Sequence, residues 1–406
     1  MVKILSNTRL ITFWLYLLAI PIFFLGTSEV EYQLPFPAVS ALLRYGIIIA
    51  TLFLLFLFVI TQSAKLEYKR ILIINVFFIL ILILLFNLLI NNDAVTDEIL
   101  SRNVRFILAL LASTMIYIIF QQKIIKNIYH AILSYQKIIF ATICLLTVIT
   151  FVKSFGLVND YFGIKDLLAI PVGKSNFIAS WILMLTTYLC FMSKNGTFTV
   201  ITFTAGLLSM LCTRTRVGII SYALLLLILL YHNRKTIHIQ HIKPFITLVI
   251  ILLGGIYFLQ GVDLESFFSR TVVTFQAIFT ESDFDFAFNG RLELYHIAMD
   301  NFLQNPLTGT GMGELPHNYI LELLANVGLL GLFSVIFQYI IVLSILFKLK
   351  NKSMMAEAGI WVVFFAVFNS MYEPCLSDLS FCIFYWMIVS MATNQYLQEN
   401  DRCWDV

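Results

Sequence analysis

The chain contains many apolar runs of about 17–25 residues, the length that carries an α-helix across a bilayer. Hydrocarbon cannot satisfy exposed N–H and C=O groups, so each such run is most simply a transmembrane helix. The runs lie at 10–26, 38–60, 71–90, 102–120, 131–152, 175–192, 197–212, 217–231, 244–260, 318–347, 355–371 and 377–396. The sequence therefore predicts an all-α polytopic membrane protein with about twelve transmembrane helices.

The composition agrees with a membrane protein and argues against other classes. Hydrophobic residues fill 60% of the 406 positions and charged residues only 12%, whereas soluble domains are roughly 45–50% apolar and about 25% charged. The net charge of +3 is small and the basic residues are scattered, which does not indicate nucleic-acid binding. The six cysteines form no CxxC pair, so neither a disulfide framework nor a metal site is predicted.

The distribution of lysine and arginine predicts how the helices are oriented. Short cytoplasmic loops are enriched in these residues, and here they follow the even-numbered spans. The loop residues are Lys65, Lys69, Arg70, Lys123, Lys126, Lys194, Arg234, Lys235, Lys243, Lys348, Lys350 and Lys352. Both chain termini then lie in the cytoplasm, and the long segment 261–317, between spans 9 and 10, faces outward.

Two parts of this topology have alternatives. The N-terminus has the positive start and apolar body of a signal peptide, but it lacks a clear cleavage site, so it is interpreted as a retained first span. The short runs on either side of 213–216 fit a re-entrant hairpin as well as two spans. Because neither an internal repeat nor a low-complexity linker is evident, residues 1–406 are predicted to form one integral membrane domain.

The longest stretch that is not plainly hydrophobic runs from Gly290 to Gly331. Its first part, 290–304, predicts an amphipathic helix that lies along the membrane surface or roofs a cavity. The apolar positions at helical spacing are Leu292, Tyr295, Met299 and Phe302. Asn305-Pro306 ends this helix, because proline disfavours helical backbone in the residue before it.

Three alternating glycines follow, at Gly309, Gly311 and Gly313. Such a turn lets backbone N–H groups approach a ligand closely and can form an anion-binding concavity. The pattern matches neither a dinucleotide fingerprint nor a P-loop, and a flexible turn explains it equally well. On the first interpretation, Gly309 and Gly311 are candidate substrate-positioning residues.

His317 and Asn318 stand where the next span begins, at a helix N-terminus that favours anions. Glu322 lies one turn further into the span, where a carboxylate is costly without a partner or a water-filled site. A structural role would explain an isolated histidine at this interface. The combination with Glu322 and the preceding glycines makes His317 a candidate base.

A second cluster of polar residues lies at Thr213-Arg214-Thr215-Arg216, between two apolar runs on the outward side. In a tight turn both arginines can point into one cavity, and guanidinium groups bind phosphate bidentately. Arg291 is a further outward cation. The alternative is that the arginines snorkel to the membrane interface and contact lipid headgroups.

These residues together resemble the O-antigen ligase and polymerase superfamily of bacterial envelope proteins. The resemblance rests on three elements in order, and it covers about residues 200–345. The elements are the Thr213–Gly218 turn, the Arg291–Tyr295 helix start with Asn305-Pro306-Leu307 after it, and Pro316-His317-Asn318 followed by Glu322 and Gly328–Gly331.

The resemblance implies a metal-independent glycosyltransferase, without a cofactor, in the bacterial inner (plasma) membrane. Such enzymes take a glycan from undecaprenyl diphosphate and join it to an acceptor glycan at the periplasmic face. By this resemblance, His317 is the general base, Arg216, Arg214 and Arg291 bind the pyrophosphate, and Asn318 and Glu322 orient the imidazole or a sugar. Membrane lipid and a chain-length regulator are the further partners it implies.

Two acceptors and one rival class stay open. A ligase transfers the glycan to lipid A core, whereas a polymerase extends another lipid-linked repeat. The short connection from Gly311 to His317 lacks the inserted loop that some ligases carry, which favours a repeat-unit polymerase of O-antigen or another surface polysaccharide. The rival is a lipid-linked oligosaccharide flippase or other transporter, which should carry several ionisable residues within its spans; apart from Arg44 and Glu322 this sequence has few.

The topology predicts that Ser282 faces outward. A cysteine at position 282, in a variant whose six native cysteines are replaced by serine or alanine, is expected to react with a membrane-impermeant maleimide in intact cells. Labelling is measured by gel shift. A cysteine that reacts only after the membrane is ruptured would overturn the orientation.

Overall fold

The computed structural model describes residues 2–23, 41–60, 68–90, 96–155, 168–193, 195–232, 291–311 and 316–398. The helices in the first half are α1 (Val2–Phe23), α2 (Ala41–Ile60), α3 (Tyr68–Ile90), α4 (Asp97–Phe120), α5 (Ile125–Phe155), α6 (Ser175–Met192), α7 (Gly196–Thr213) and α8 (Arg216–His232). Those that follow are α9 (Arg291–Gln304), α10 (Tyr319–Leu349), α11 (Met354–Ser370), α12 (Leu379–Thr393) and α13 (Gln395–Gln398).

Within the described ranges, a strand hairpin and a 3-10 helix interrupt this helical structure. Strands β1 (Ala169–Ile170) and β2 (Gly173–Lys174) pair antiparallel in a hairpin just before α6. A 3-10 helix, Cys375–Ser377, lies between α11 and α12. The sequence analysis predicted neither element, because both are too short to produce a periodic pattern.

The prediction of an all-α membrane protein is confirmed. Helices α1–α8 and α10–α12 coincide with eleven of the predicted apolar runs, and the run 244–260 lies outside the described residues. Within the described ranges, six helices are long and apolar enough to cross a membrane, and five shorter helices are also apolar. The number of spans and the outward placement of 261–317 stay predictions.

Side-chain hydrogen bonds show which helix ends lie together. Near the end of α3, Asn87 donates to the carbonyl of Asn326 on α10, and Asn103 in the first turns of α4 donates to the carbonyl of Gly311. We call this end of the bundle the site end. The α7–α8 turn lies there too. A Cβ on Gly218 would stand 3.1 Å from Ala179 near the start of α6. A side-chain hydrogen bond joins this start to the turn at the end of α11, and a second one joins that turn to Asn318 before α10.

The opposite end is closed by α4 and α12. Gln121 donates to the Ser390 carbonyl and the Thr393 hydroxyl, while Asn394 donates to the carbonyl of Phe120. Buried Arg70 donates to the Thr393 carbonyl. The described lysines and arginines of the loops after even-numbered spans cluster at this basic end: Lys69, Arg70, Lys123, Lys126, Lys348, Lys350 and Lys352. This clustering agrees with the predicted cytoplasmic side.

Helix α12 forms the centre of the bundle. All of its residues are buried, as expected for a helix that is apolar all round and surrounded by protein. Trp386 of α12 makes edge-to-face contacts with Phe77 of α3 and Tyr117 of α4. Helix α12 packs against protein on every side, so its position in the bundle is fixed. The elements next to its N-terminal end, at the site end, are therefore fixed as well.

Helix α10 is broken at Gly328, which has φ 63° and ψ −164°. The sequence analysis predicted one continuous span, and this prediction is wrong at that residue. Residues 329–349 alone would measure about 31 Å at 1.5 Å per residue, which is enough to cross the hydrocarbon. The preceding half-helix, 319–327, is therefore not needed for spanning and is free to carry His317 and Asn318 at its start.

The break exposes backbone groups that hydrocarbon would leave unsatisfied, and the segment 305–311 satisfies them. The amides of Leu329 and Leu330 donate to the carbonyls of Pro306 and Leu307 at 2.9 and 3.0 Å. In an unbroken helix they would donate to Ala325 and Asn326. Those two carbonyls instead accept from the Thr310 amide and from the Asn87 side chain. Irregular backbone is tolerated at this place because protein surrounds it.

The close approach of these two backbones requires glycine on both sides. Gly309 has φ 70°, and a Cβ there would stand 2.6 Å from the Asn326 carbonyl carbon and the Val327 nitrogen. A Cβ on Gly328 would stand 2.5 Å from the Gly309 nitrogen and from the Leu307 carbonyl group. Both residues also have the left-handed backbone that favours glycine.

Gly328→Ala is expected to lower the free energy of unfolding by about 2 kcal/mol or more, because it adds a backbone clash to an unfavourable φ. Gly46→Ala is the matched control: Gly46 lies within α2, and a Cβ there would meet no atom of the described part of the chain within 4 Å. There alanine should raise helix stability slightly. Thermal unfolding of the purified proteins in detergent checks both, and equal midpoints would contradict the proposed contact.

Candidate active site

His317 lies in the short segment before α10, with a left-handed φ of 53°. Its Nδ1 atom is 3.2 Å from Oε1 and 3.3 Å from Oε2 of Glu373. The imidazole is 41% exposed, whereas the Glu373 side chain is only 10% exposed. One ring nitrogen is therefore held by a buried carboxylate while part of the ring stays accessible.

Glu373 is the residue on which this site converges. The Asn176 side chain of α6 donates to its Oε2 at 2.9 Å, and Arg291 Nη2 lies 3.8 Å from the same oxygen. The turn that carries Glu373 is fixed at the end of α11, because the amides of Tyr372 and Glu373 both donate to the Asn369 carbonyl. Four elements distant in sequence thus meet at one carboxylate.

The sequence analysis missed Glu373 and Asn176. The predicted spans 355–371 and 377–396 leave 372–376 as a short loop after an odd-numbered span, hence on the outward side, but no role was assigned to the acidic residue there. A carboxylate next to Pro374, in a short loop predicted to share a side with His317, is the signal that was present. No comparable signal marks Asn176, which looks like an ordinary polar residue at the start of an apolar run.

Arg291 is brought to His317 by α9. It is the first residue of that helix, and its Nη1 donates to the Tyr372 carbonyl at 2.8 Å. Helix α9 packs against α10. Of the four predicted apolar positions, Leu292, Tyr295 and Phe302 are partly buried, whereas Met299 is 39% exposed and its neighbour Ala298 is buried instead.

Asn318 and Glu322 lie beside the pair. The Asn318 Oδ1 accepts from the amides of Ile320 and Leu321, so it caps the N-terminus of α10. Its Nδ2 donates to the Met371 carbonyl, which ties the cap to the turn that carries Glu373. Glu322 is buried and accepts from the Ser377 hydroxyl at 3.0 Å. Their predicted role toward a substrate stays a prediction.

The predicted turn at 213–216 is confirmed as the link between α7 and α8. Arg214 ends α7 in a left-handed conformation, is buried, and lies over the Phe151 ring with its guanidinium carbon 5.4 Å from the centroid. Arg216 starts α8 and is partly buried. The hydroxyls of Thr213 and Thr215 are 3.0 Å apart and share a hydrogen bond.

Helix α6 connects this turn to Glu373. Gly218, two residues after Arg216, packs against Ala179. One turn of helix (about 5 Å) separates Ala179 from Asn176, the residue that donates to Glu373. The structure therefore brings the arginine turn and the His317–Glu373 pair to the same end of the bundle and to the same helix.

Gly309 and Gly311 belong to the segment 305–311, whose backbone forms hydrogen bonds with the broken part of α10 (the backbone seal). The Gly309 amide donates to the Asn305 carbonyl, and the Thr310 amide donates to Ala325. The Gly311 carbonyl accepts from Asn103 at 2.6 Å. The turn is thus fixed by its contacts, which corrects the interpretation as a flexible turn, and the amides at 309 and 310 already have acceptors within the protein.

Comparison with protein families gives a match to part of the chain. Residues 201–336 match the family model described as O-antigen ligase. The matched stretch covers about a third of the chain and contains Arg214, Arg216, Arg291 and His317, but not Asn176 or Glu373. It confirms the resemblance to the O-antigen ligase and polymerase superfamily. No curated protein gave a significant match.

Proposed function

We propose that this protein is a membrane glycosyltransferase that moves a glycan from undecaprenyl diphosphate to an acceptor glycan, acting as a surface-polysaccharide repeat-unit polymerase. The observation that carries the proposal is the His317–Glu373 pair. Its histidine and neighbouring Arg291 belong to the stretch that matches the O-antigen ligase family. A base held by a buried carboxylate, with cations nearby, is what glycosyl transfer from a diphosphate requires.

His317 acts as the general base. An ionised carboxylate only accepts hydrogen bonds, so Nδ1 carries the proton in its contact with Glu373. Nε2 then holds the free lone pair. As the acceptor oxygen bonds to the anomeric carbon, its proton passes to Nε2. Glu373 stabilises the imidazolium that forms and keeps the ring in the required orientation.

The arginines bind the leaving group. When the bond between the anomeric carbon and the phosphate oxygen breaks, its electron pair leaves with undecaprenyl diphosphate, and negative charge grows there. Guanidinium groups close to this position stabilise the transition state. Arg216 is the main candidate, since it is partly exposed at the start of α8. Arg214 and Arg291 support it.

The setting of the reaction follows from the chemistry of its substrates. The donor lipid is held in a bilayer, so the protein is proposed to act in the bacterial inner membrane with its site end toward the periplasm. The lipid tail would enter between helices. A chain-length regulator is a further proposed partner. Asn318 and Glu322 would help to position the sugars, and Gly309 and Gly311 would do so indirectly, by letting the segment 305–311 pack closely against α10 and α3.

Transfer to lipid A core, the ligase reaction, is the second candidate. It is favoured by the description of the matched family, O-antigen ligase. Polymerase is preferred because only five residues separate Gly311 from His317, which leaves no room for an inserted loop. A lipid-linked oligosaccharide flippase is the remaining alternative, and the His317–Glu373 pair has no evident role in such a protein.

His317→Ala is expected to lower glycan transfer about 10²–10⁴-fold, since it removes the base, and Arg216→Ala about 10²–10³-fold. Glu373→Gln should cost about tenfold or more, because it loses the charge that orients the imidazole. Transfer is measured in proteoliposomes that contain undecaprenyl-diphosphate-linked repeats.

The chain offers a matched control at its basic end. His232 and Glu357 form a similar pair there, 2.9 Å apart. His232→Ala and Glu357→Gln should leave transfer within about twofold of the wild type. Equal losses in the two pairs would attribute the effect to stability, and unchanged transfer in His317→Ala would refute the mechanism.

Deleting the gene separates polymerase from ligase. If the protein is a polymerase, cells are expected to attach single repeats to lipid A core, because ligation continues without chain extension. If it is a ligase, long chains should accumulate on undecaprenyl diphosphate with none on the core. Gel electrophoresis of surface polysaccharide and of extracted lipid distinguishes the two patterns, and the second would overturn the preference for a polymerase.

A further inference from the structure

Arg44 is a buried cation that the proposed reaction does not use. It lies in the first turn of α2 and is 6% exposed. Its Nη2 donates to two backbone carbonyls, that of Ile22 at 2.9 Å and that of Pro171 at 2.6 Å. It also interacts electrostatically with the carboxylate of Asp378. One guanidinium thus joins the end of α1 to the β1–β2 turn by hydrogen bonds, and its charge attracts the carboxylate at the start of α12.

Burying a guanidinium in a membrane protein is expensive, so such residues mark a specific task. Its planar fork can hold several acceptors in fixed directions, which lysine cannot do. The residues that follow or precede the elements bound by Arg44 indicate this task. Both the β1–β2 turn and the start of α12 lead within a few residues to the His317–Glu373 site.

The first connection between Arg44 and the site is the β1–β2 hairpin. Pro171 stands in the tight turn between β1 and β2, and Arg44 fixes its carbonyl. The hairpin leads directly into α6, whose second residue is Asn176. Asn176 donates to Glu373 at 2.9 Å. The position of the hairpin therefore sets where the Asn176 amide meets the carboxylate.

The second connection between Arg44 and the site is the N-cap of α12. The Asp378 Oδ1 accepts from the Phe381 amide, so this carboxylate caps the helix, and the positive charge of Arg44 attracts it. The residue before it, Ser377, donates to buried Glu322. The attraction between Arg44 and Asp378 therefore acts at the end of the turn that contains both Ser377 and Glu373.

We propose that Arg44 is a positioning residue for glycosyl transfer. It holds the hairpin before Asn176 and the N-cap of α12 after Ser377 in the positions that orient Glu373. The inference rests on the proposed function of that site. Arg44 acts through these neighbours and contacts no reacting atom. Its loss should therefore lower kcat while the KM for the lipid-linked donor changes little, because Arg216, the main candidate for binding the diphosphate, is carried by α8 and not by the hairpin or the Glu373 turn.

The test compares Arg44→Gln with Arg70→Gln in the proteoliposome transfer assay. Arg70 is an equally buried arginine in the first turn of α3 that also donates to a backbone carbonyl, but at the basic end. Arg44→Gln is expected to lower kcat about tenfold or more with KM within about twofold. Arg70→Gln should keep kcat within about twofold of the wild type at a similar loss of thermal stability.

A double-mutant cycle adds a readout that a structural role would not move. If Arg44 acts through Asn176, the Arg44→Gln effect on kcat should shrink in an Asn176→Ala background. Asp378→Asn serves where Arg44→Gln does not accumulate: asparagine still caps α12 but loses the charge that faces Arg44. It should lower kcat several-fold at unchanged KM.

Three results would each overturn the positioning role: a kcat in Arg44→Gln that matches the kcat in Arg70→Gln, full additivity with Asn176→Ala, or a fully active Asp378→Asn. These outcomes presuppose transfer by the wild type and by Arg70→Gln, which tests the proposed function separately. A wild type without transfer would refute the proposed function and, with it, this role.

Discussion

The break in α10 is the constraint on which the site depends. Within hydrocarbon a helix cannot end unless other groups take up its freed amides and carbonyls, and here 305–311 and Asn87 do so. The break shortens the spanning part to 329–349 and releases a half-helix that starts at Asn318. The same seal anchors α9, which carries Arg291. One backbone contact therefore sets the position of both His317 and its cationic neighbour.

Around this break, Glu373 acts as the common acceptor. A buried carboxylate is tolerated when donors and cations surround it, and His317, Asn176 and Arg291 provide them. Each partner of the carboxylate comes from a different element. All three partners reach it only when α6, α9, α10 and the end of α11 are packed together in their observed positions. Assembly of the site is thereby coupled to packing of the bundle, and Arg44 extends this coupling to α1 and α2.

The sequence predicted the helices well because each apolar run is a local property of the chain. It also selected His317, Arg214 and Arg216 as candidates, since polar residues at the edge of a span are costly, and Arg291 as a further outward cation; their roles stay predictions. It could not predict Glu373 as their partner, because that contact joins residues 56 positions apart. Nor could it predict the break at Gly328: a glycine in an apolar run fits a close helix contact equally well, and only the docking of 305–311 distinguishes the two.

A histidine next to a carboxylate is not by itself a sign of catalysis, and this chain contains the comparison. His232 and Glu357 are closer than His317 and Glu373, at 2.9 Å against 3.2 Å. In the first pair both side chains are about one third exposed, so water screens the interaction. In the second pair the carboxylate is buried and bound by further donors, so its orientation is fixed and its field acts in a low dielectric. The surroundings of the carboxylate, and not the separation of the pair, are what distinguish His317 from His232 and support its proposed role as the base.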